Sequence, residues 1–170
     1  MGVQLDIILP PIIVGLIIIM IFRVNSFIVE TSNDNRLQND MQLFAEAAAT
    51  VIQEEIRQIS GDVEISGDTL FYSRIANGKA GTGSITKDNR NIRIIRQMED
   101  TPADTSIIHA NISDLTFNLE FPEPSASHAF IRIRVVTESL PEQHARIRES
   151  NQTSRAVVER RVFIRTMSLN

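Results

Sequence analysis

The chain has 170 residues, no cysteine and a formal net charge of −4. That charge gives no footing for nucleic-acid binding. The lack of cysteine excludes disulfides and thiolate metal sites, and it leaves the redox compartment unread. Apolar residues make up 42% of the chain, an ordinary share, so what matters is where they fall. They concentrate at the start: residues 7–22 read IILPPIIVGLIIIMIF without one polar side chain.

A hydrocarbon core about 30 Å thick needs roughly 20 mostly apolar residues in a helix. Residues 3–24 meet that length, with Gln4, Asp6 and Arg23 as the strongly polar members. A helix apolar all round has no place on the surface of a small soluble domain. No Lys or Arg precedes Ile7, and no small-residue cleavage site follows Phe22, so the stem reads as retained rather than as a cleaved signal. Pro10 and Pro11 each remove a backbone donor and crowd the preceding turn. They predict a kink, or a helix that begins only near residue 10, and in lipid the carbonyls they free must find other partners. Gly15 offers a point of close helix approach. Asp6 stands at the edge of the span, where a carboxylate is costly unless solvated or paired. Two readings are open for it: an interface residue at the headgroups, or a partner for a positive group such as the free α-amino group of an adjacent copy.

Residues 23–35 are mostly polar around Phe27, Ile28 and Val29, and Ser32-Asn33-Asp34-Asn35 predicts a loosened turn. Helical signal then resumes. Leu37, Met41, Phe44, Ala48, Val51, Ile52, Ile56 and Ile59 recur at three- and four-residue steps, which puts them on one face. The helix should stop near Ser60 and Gly61. If it is continuous with the stem it is about 85 Å long. Its first half must then lie in a membrane or against copies of itself.

Beyond Gly61 the period changes to two. Strands are predicted over 69–75, 92–97, 112–121, 129–137 and 157–169, with a glycine-rich turn over 78–83. In 112–121, Leu115, Phe117, Leu119 and Phe121 alternate with Thr116, Asn118 and Glu120, so one face is buried and one is wet. The sequence Pro122-Glu123-Pro124-Ser125 suits a hairpin loop. Arg132 and Arg134 share a face, and Arg161 and Arg165 do likewise on the last strand, with Glu120 placed to lie between the rows. The reading is open between a solvated charged face and a contact surface for an acidic partner or neighbouring subunit. Residues 140–156 are polar and aperiodic, and should form a projecting loop.

No catalytic pattern emerges. Residues 78–84 place their lysine too early for a phosphate loop and precede a strand rather than a helix. His109, His128 and His144 lack a second ligand at helical or hairpin spacing. No cofactor or metal is expected.

An apolar then amphipathic N-terminal helix, followed by an antiparallel sheet, resembles the type IV pilins and pseudopilins. Asp6 carries the most specific part of the likeness. Pilins have an acid at the fifth position of the mature chain, thought to pair with the N-terminal amine of a neighbour. If Met1 is removed, Gly2 becomes the first residue and Asp6 the fifth; a cut after Gly2 would make Asp6 the fourth. Ile112-Ser113-Asp114-Leu115-Thr116-Phe117, the Ile-Arg-Ile-Arg-Val strand and the ending Phe163-Ile164-Arg165 are similar to minor pilins and J-type pseudopilins. The chain departs from the family in lacking a basic leader ending in glycine and in the early position of its proline pair.

The expected fold is therefore α+β, with a long N-terminal helix packed on an antiparallel β-sheet. Residues 1–25 form the stem, 26–60 the amphipathic helix and 61–170 the β body. The resemblance implies a non-enzymatic structural subunit of a pilus-like filament or secretion pseudopilus. Its partners would be inner-membrane lipid before assembly, then copies of itself or related pilins. A prepilin peptidase or methionine aminopeptidase would process it. The body would be extracytoplasmic, on a cell-surface filament or periplasmic pseudopilus. Asp6, Gly2, Pro10, Pro11 and Gly15 are the assembly candidates. Arg132, Arg134, Arg161 and Arg165 are the surface-contact candidates. The alternatives are a single-pass anchored binding module that does not polymerise, and a membrane-tethered enzyme.

Overall fold

The computed structural model describes residues 3–76, 78–99, 101–122, 128–139 and 154–164; for residues 3–8 and 76 it describes the backbone alone. The fold is α+β: one helix, α1 (Val3–Arg57), followed by eight strands. The chain divides into two compact units, Met1–Leu37 and Gln38–Asn170.

In the first unit the helix begins at Val3 and passes through Pro10 and Pro11. The expectation of a start near residue 10 is thus corrected. Each proline withholds one N–H, so the carbonyls of Asp6 and Ile7 lose their helical donors while the rest of the ladder stays intact. The turn expected at 32–35 is also absent, since those residues are helical. Ser, Asn and Asp each cost a helix only about 0.5 kcal/mol, which the cooperativity of long helical runs on both sides outweighs. Just upstream, the Thr31 hydroxyl donates to the Phe27 carbonyl of the same helix at 2.9 Å.

In the second unit α1 buries Met41, Ala45, Ala48, Ala49, Ile52, Glu55 and Ile56, and Ile59 just beyond its end is buried too. Three alanines among them leave room for the helix backbone to approach the strands closely. Phe44 and Val51, expected on this face, are each 42% exposed. They lie off the alanine-centred stripe, one position round the helix from Ala45 and Ile52. The helix ends at Arg57 in a tightened turn, Gln58 N–H to the Glu55 carbonyl and Ile59 N–H to the Ile56 carbonyl, both 3.1 Å.

Five strands form one antiparallel sheet in chain order: β1 (Val63–Ser66), β2 (Thr69–Ala76), β3 (Lys79–Asp88), β4 (Asn91–Met98) and β5 (Asp104–His109). Three form the second: β6 (Ile112–Glu120), β7 (Ala129–Glu138) and β8 (Arg155–Ile164). Strands β1 and β5 had no counterpart in the sequence reading. The expected turn over 78–83 is largely strand β3, with Gly78 alone at positive φ (75°). A Cβ at Gly83 would fall 2.2 Å from Cζ of the Tyr72 ring opposite, so this glycine makes room for a neighbour inside a strand.

Strand β6 alternates as expected at Leu115 and Phe117, but Phe121 falls past its end and is 42% exposed. A register shift between Ile112 and Asp114 lets both Ile112 and Leu115 point inward despite their odd spacing. Ile131, Ile133 and Val135 of β7 are fully buried. The core joins the inner faces of both sheets to the helix stripe. Lys87 Nζ donates to the Ser113 carbonyl at 2.6 Å, linking β3 to β6. The Thr137 hydroxyl donates to the Met41 carbonyl at 2.9 Å, and Arg160 reaches Gln53 at 2.7 Å and Glu46 at 2.6 Å, tying β7 and β8 to α1.

Candidate functional site

Three features of the chain are candidates for function: the stem, the outer face of the three-stranded sheet, and a buried polar cluster at the end of α1.

In the stem, Leu9, Ile12, Ile13, Val14 and every large apolar side chain from Leu16 to Val29 are between 47% and 68% exposed. The exposure runs right round the helix, so the stem has no polar face. A Cβ at Gly15 would meet nothing within 4 Å, so no contact within this chain requires glycine there. By length and composition, α1 is able to cross a membrane. Pro10 and Pro11 lie on the exposed part of the helix. Asp6 is helical, its side chain outside the description, and Gly2 lies outside the described residues.

On the sheet face, Arg132 stands directly opposite Arg161 in register. Like charges at that position repel, and Glu120 answers both, at 2.5 Å from Arg132 and 3.1 Å from Arg161. Arg134 lies 3.4 Å from Asp114 and 3.5 Å from Glu159. The Arg161 guanidinium also sits 4.2 Å above the Phe130 ring. Arg132, Arg134 and Arg161 are therefore engaged with carboxylates of their own sheet. Arg165 lies outside the described residues, as do 140–153 of the expected projecting loop. The ends of that segment meet: Ser139 N–H donates to the Ser154 carbonyl at 2.9 Å, and Ser154 N–H to the Ser139 hydroxyl at 3.0 Å.

The buried cluster centres on Glu55, 4% exposed. Arg96 grips it with both arms of its fork, Nε to Oε1 at 2.8 Å and Nη2 to Oε2 at 2.7 Å. The Tyr72 hydroxyl donates to Oε1, and Arg74 Nη1 lies 3.6 Å from it. Arg96 continues outward to Ser106 at 2.9 Å and Asp104 at 3.3 Å. Burial pushes the Glu55 carboxyl up, but the bonds from Arg96 and Tyr72 and the two guanidinium charges outweigh it, holding its pKa below the ordinary range. Burial, then the bond to Glu55 and its charge, push the Tyr72 phenol well above its usual value. The Arg96 pKa is also raised, chiefly by its hydrogen bonds to Glu55. A carboxylate committed to these donors is a structural pin rather than a free base. The sequence reading missed it. Its signal was a carboxylate at an inward position, between Ile52 and Ile56, and the chain's single tyrosine alternating inward with Leu70. Among the described residues no three His, Asp or Glu side chains converge to hold a metal ion.

No protein-family model matches the chain, and no curated protein does. Among solved structures, the type IV-like pilin from Thermus thermophilus aligns with a TM-score of 0.47 at 9% identity, over 75% of this chain and 96% of that one.

Proposed function

We propose that this chain is a pilin-like structural subunit, held in a membrane by its stem and assembled with copies of itself through the same surface. The observation that carries the reading is the stem: apolar on every side, exposed at every large apolar side chain described from Leu9 to Val29, and part of the helix whose later turns supply the body's core. Such a surface needs a non-aqueous environment, and lipid and packed neighbouring stems both supply one. Burying one Ile or Leu side chain contributes about 1.5–3 kcal/mol. A run of them is a strong drive to association once the stem leaves lipid.

In this reading Asp6 sets axial register by pairing with the N-terminal amine of a neighbour. Gly2 is the residue that bears that amine after processing by methionine aminopeptidase, and a prepilin peptidase is the alternative processor. Gly15 lets a neighbouring stem approach, and the prolines leave backbone acceptors on the stem. The body, with its charge-compensated arginine face, forms the filament exterior of a pilus or secretion pseudopilus. The test is Asp6→Ala. Membrane fractionation and body folding should be unchanged while electron microscopy shows filament yield collapse. Normal yield from that variant ends the register role. A wild-type chain that inserts but forms no filaments under any condition favours the single-pass anchored module instead.

A further inference from the structure

The two sheets end differently. In the five-stranded sheet the edge strands are short: β1 has four residues and β5 six. Strand β8 ends one side of the three-stranded sheet with ten, and among the described residues β7 is the strand paired with it. In such a strand every second residue turns its N–H and C=O away from the neighbour it has. No proline, glycine or lysine stands in β8 to discourage a further strand.

The outer face beside this edge is divided by charge. Arg132 and Arg161 form one cross-strand row, and Arg134 and Glu159 the next. Among the described residues Arg132 and Arg161 share a single carboxylate, Glu120, so their row holds a positive charge in excess. Arg134 meets two carboxylates, Asp114 and Glu159, so its row holds a negative one. The side chains of Glu159 and Arg161 are each 55% exposed. Val157 and Phe163, on the same face, flank them and are 44% and 55% exposed.

We propose that β8 is a docking edge for the β8 of a second copy, paired antiparallel about a two-fold axis at Arg160. Glu159 then stands opposite Arg161 of the second copy, and Arg161 opposite its Glu159. Each charged row runs on into a row of the other sign. Val157 meets Phe163 of the second copy, and Phe163 its Val157, so four exposed apolar side chains cover one another. On the helix side Val158 faces Val162, and Ala156 faces Ile164. Arg160 faces its own copy, but each guanidinium is held by Gln53 and Glu46 of its own helix, at 2.7 and 2.6 Å. An axis at Glu159 would set that acid on itself, and an axis at Arg161 would set that base on itself, so charge selects the register. One step beyond Ala156 and Ile164, Arg155 would meet Arg165, which ends the favourable pairing. The contact is isologous and closes on itself, so it joins two bodies and builds no filament. It does not rest on the stem packing proposed above. The axis, normal to the sheet, reverses the segment of α1 packed on it, so the two bodies lie antiparallel. With one short strand a side, the contact is at the small end of the interface range and parts on dilution.

The chain has no cysteine, so disulfide trapping of the full-length protein in detergent micelles reads the register directly. Val157→Cys and Phe163→Cys, both at exposed sites, should keep the circular dichroism spectrum of the wild type. Oxidised as a mixture, they should form a covalent dimer several-fold faster than either variant alone. Directly opposite residues on paired strands lie within disulfide reach. A residue and its own copy are instead offset by about six residues, roughly 20 Å along the strand. Adding Glu159→Arg to both chains should slow trapping several-fold, because arginines then stand opposite each other at two positions. Three results would each overturn the proposal. Equal trapping in the mixture and in each variant alone would reveal chance collision or contact through the stems. No trapping would mean that another part of the chain covers the edge. Unaltered trapping with Glu159→Arg would remove the charge pairing that selects the register.

Discussion

Glu55 is the residue on which the body's polar interior turns. Four side chains from three elements meet there, and two of them are guanidiniums that burial would penalise without it. Removing one partner of a buried ion pair leaves the other uncompensated. Glu55→Ala should therefore lower the body's unfolding free energy by about 3 kcal/mol, measured by denaturant titration followed by circular dichroism. The pH dependence has two limbs. Because the Glu55 pKa is depressed in the folded state, its contribution is full above the ordinary carboxyl value of 4.5 and is lost as pH falls through the folded value. Because the Tyr72 pKa is raised, its contribution is full below the ordinary phenol value of 10.0 and is lost only as pH rises through the higher folded value. Tyr72 is the single tyrosine in the chain, so absorbance titration reads it directly. Tyrosinate should appear well above the ordinary range in the native protein and closer to it in Glu55→Gln. The same variant should flatten the acid limb of stability, and an unchanged acid limb would show that another carboxylate sets it.

At the scale of the element, strand β3 shows where local signal misleads. Its sequence Gly78-Lys79-Ala80-Gly81-Thr82-Gly83 has the composition of a turn, and only the first glycine needs a turn's backbone. The requirement at Gly83 comes from Tyr72, across the hairpin, whose ring fills the space a Cβ would take. Gly83→Ala should cost about 2 kcal/mol, the range for overpacking a filled interior. It should also displace the phenol from Glu55, so the melting temperature and the tyrosine titration should fall together. A lower melting temperature with an unmoved titration would place the strain elsewhere. The rest of the body's regular structure was legible for a local reason. Strand β7 alternates Ile131, Ile133 and Val135 with Arg132 and Arg134, and its buried face follows from that alone. Strands β1 and β5 were not legible, because they are short edge strands that the sheet recruits by pairing. The helix stripe was read from three- and four-residue spacing, which placed Ala48 on the buried face but also brought in Phe44 and Val51. The structure centres the stripe on Ala48 together with Ala45 and Ala49, which the spacing had not picked out, since close approach of the helix depends on what the strands present. Of the candidate site residues, the composition of the stem was plain in sequence. The pairing of Glu120 with two arginines was legible as placement, and the Glu55 cluster not at all, since its members lie 17 and 41 residues apart.

At the scale of the molecule, the chain separates two kinds of apolar surface. The body covers most of its own: its core residues are buried among the helix stripe and two sheets, and the large apolar side chains it leaves exposed, such as Leu43, Phe71, Ile75, Ile107 and Phe163, are distributed over the helix and several strands. The stem covers none, because a single helix has no second layer to pack on. Under the proposed function this division makes folding and assembly separable tasks, with information for the first held after residue 37. Every helix residue of the body's core cluster, from Met41 to Ile56, lies within the unit Gln38–Asn170. Asp40 falls in the first turn of a helix that starts at Gln38, where a carboxylate offsets the dipole of the new terminus. A chain comprising residues 38–170 should therefore be soluble without detergent. It should melt cooperatively within a few degrees of the full-length body, and size-exclusion chromatography should give a monomer. On the proposed function it should form no filaments at any concentration, because the stem surface proposed to drive association has been removed. Filaments from the shortened chain would move the assembly surface onto the body, and an insoluble or unfolded product would show that the stem is needed for folding itself.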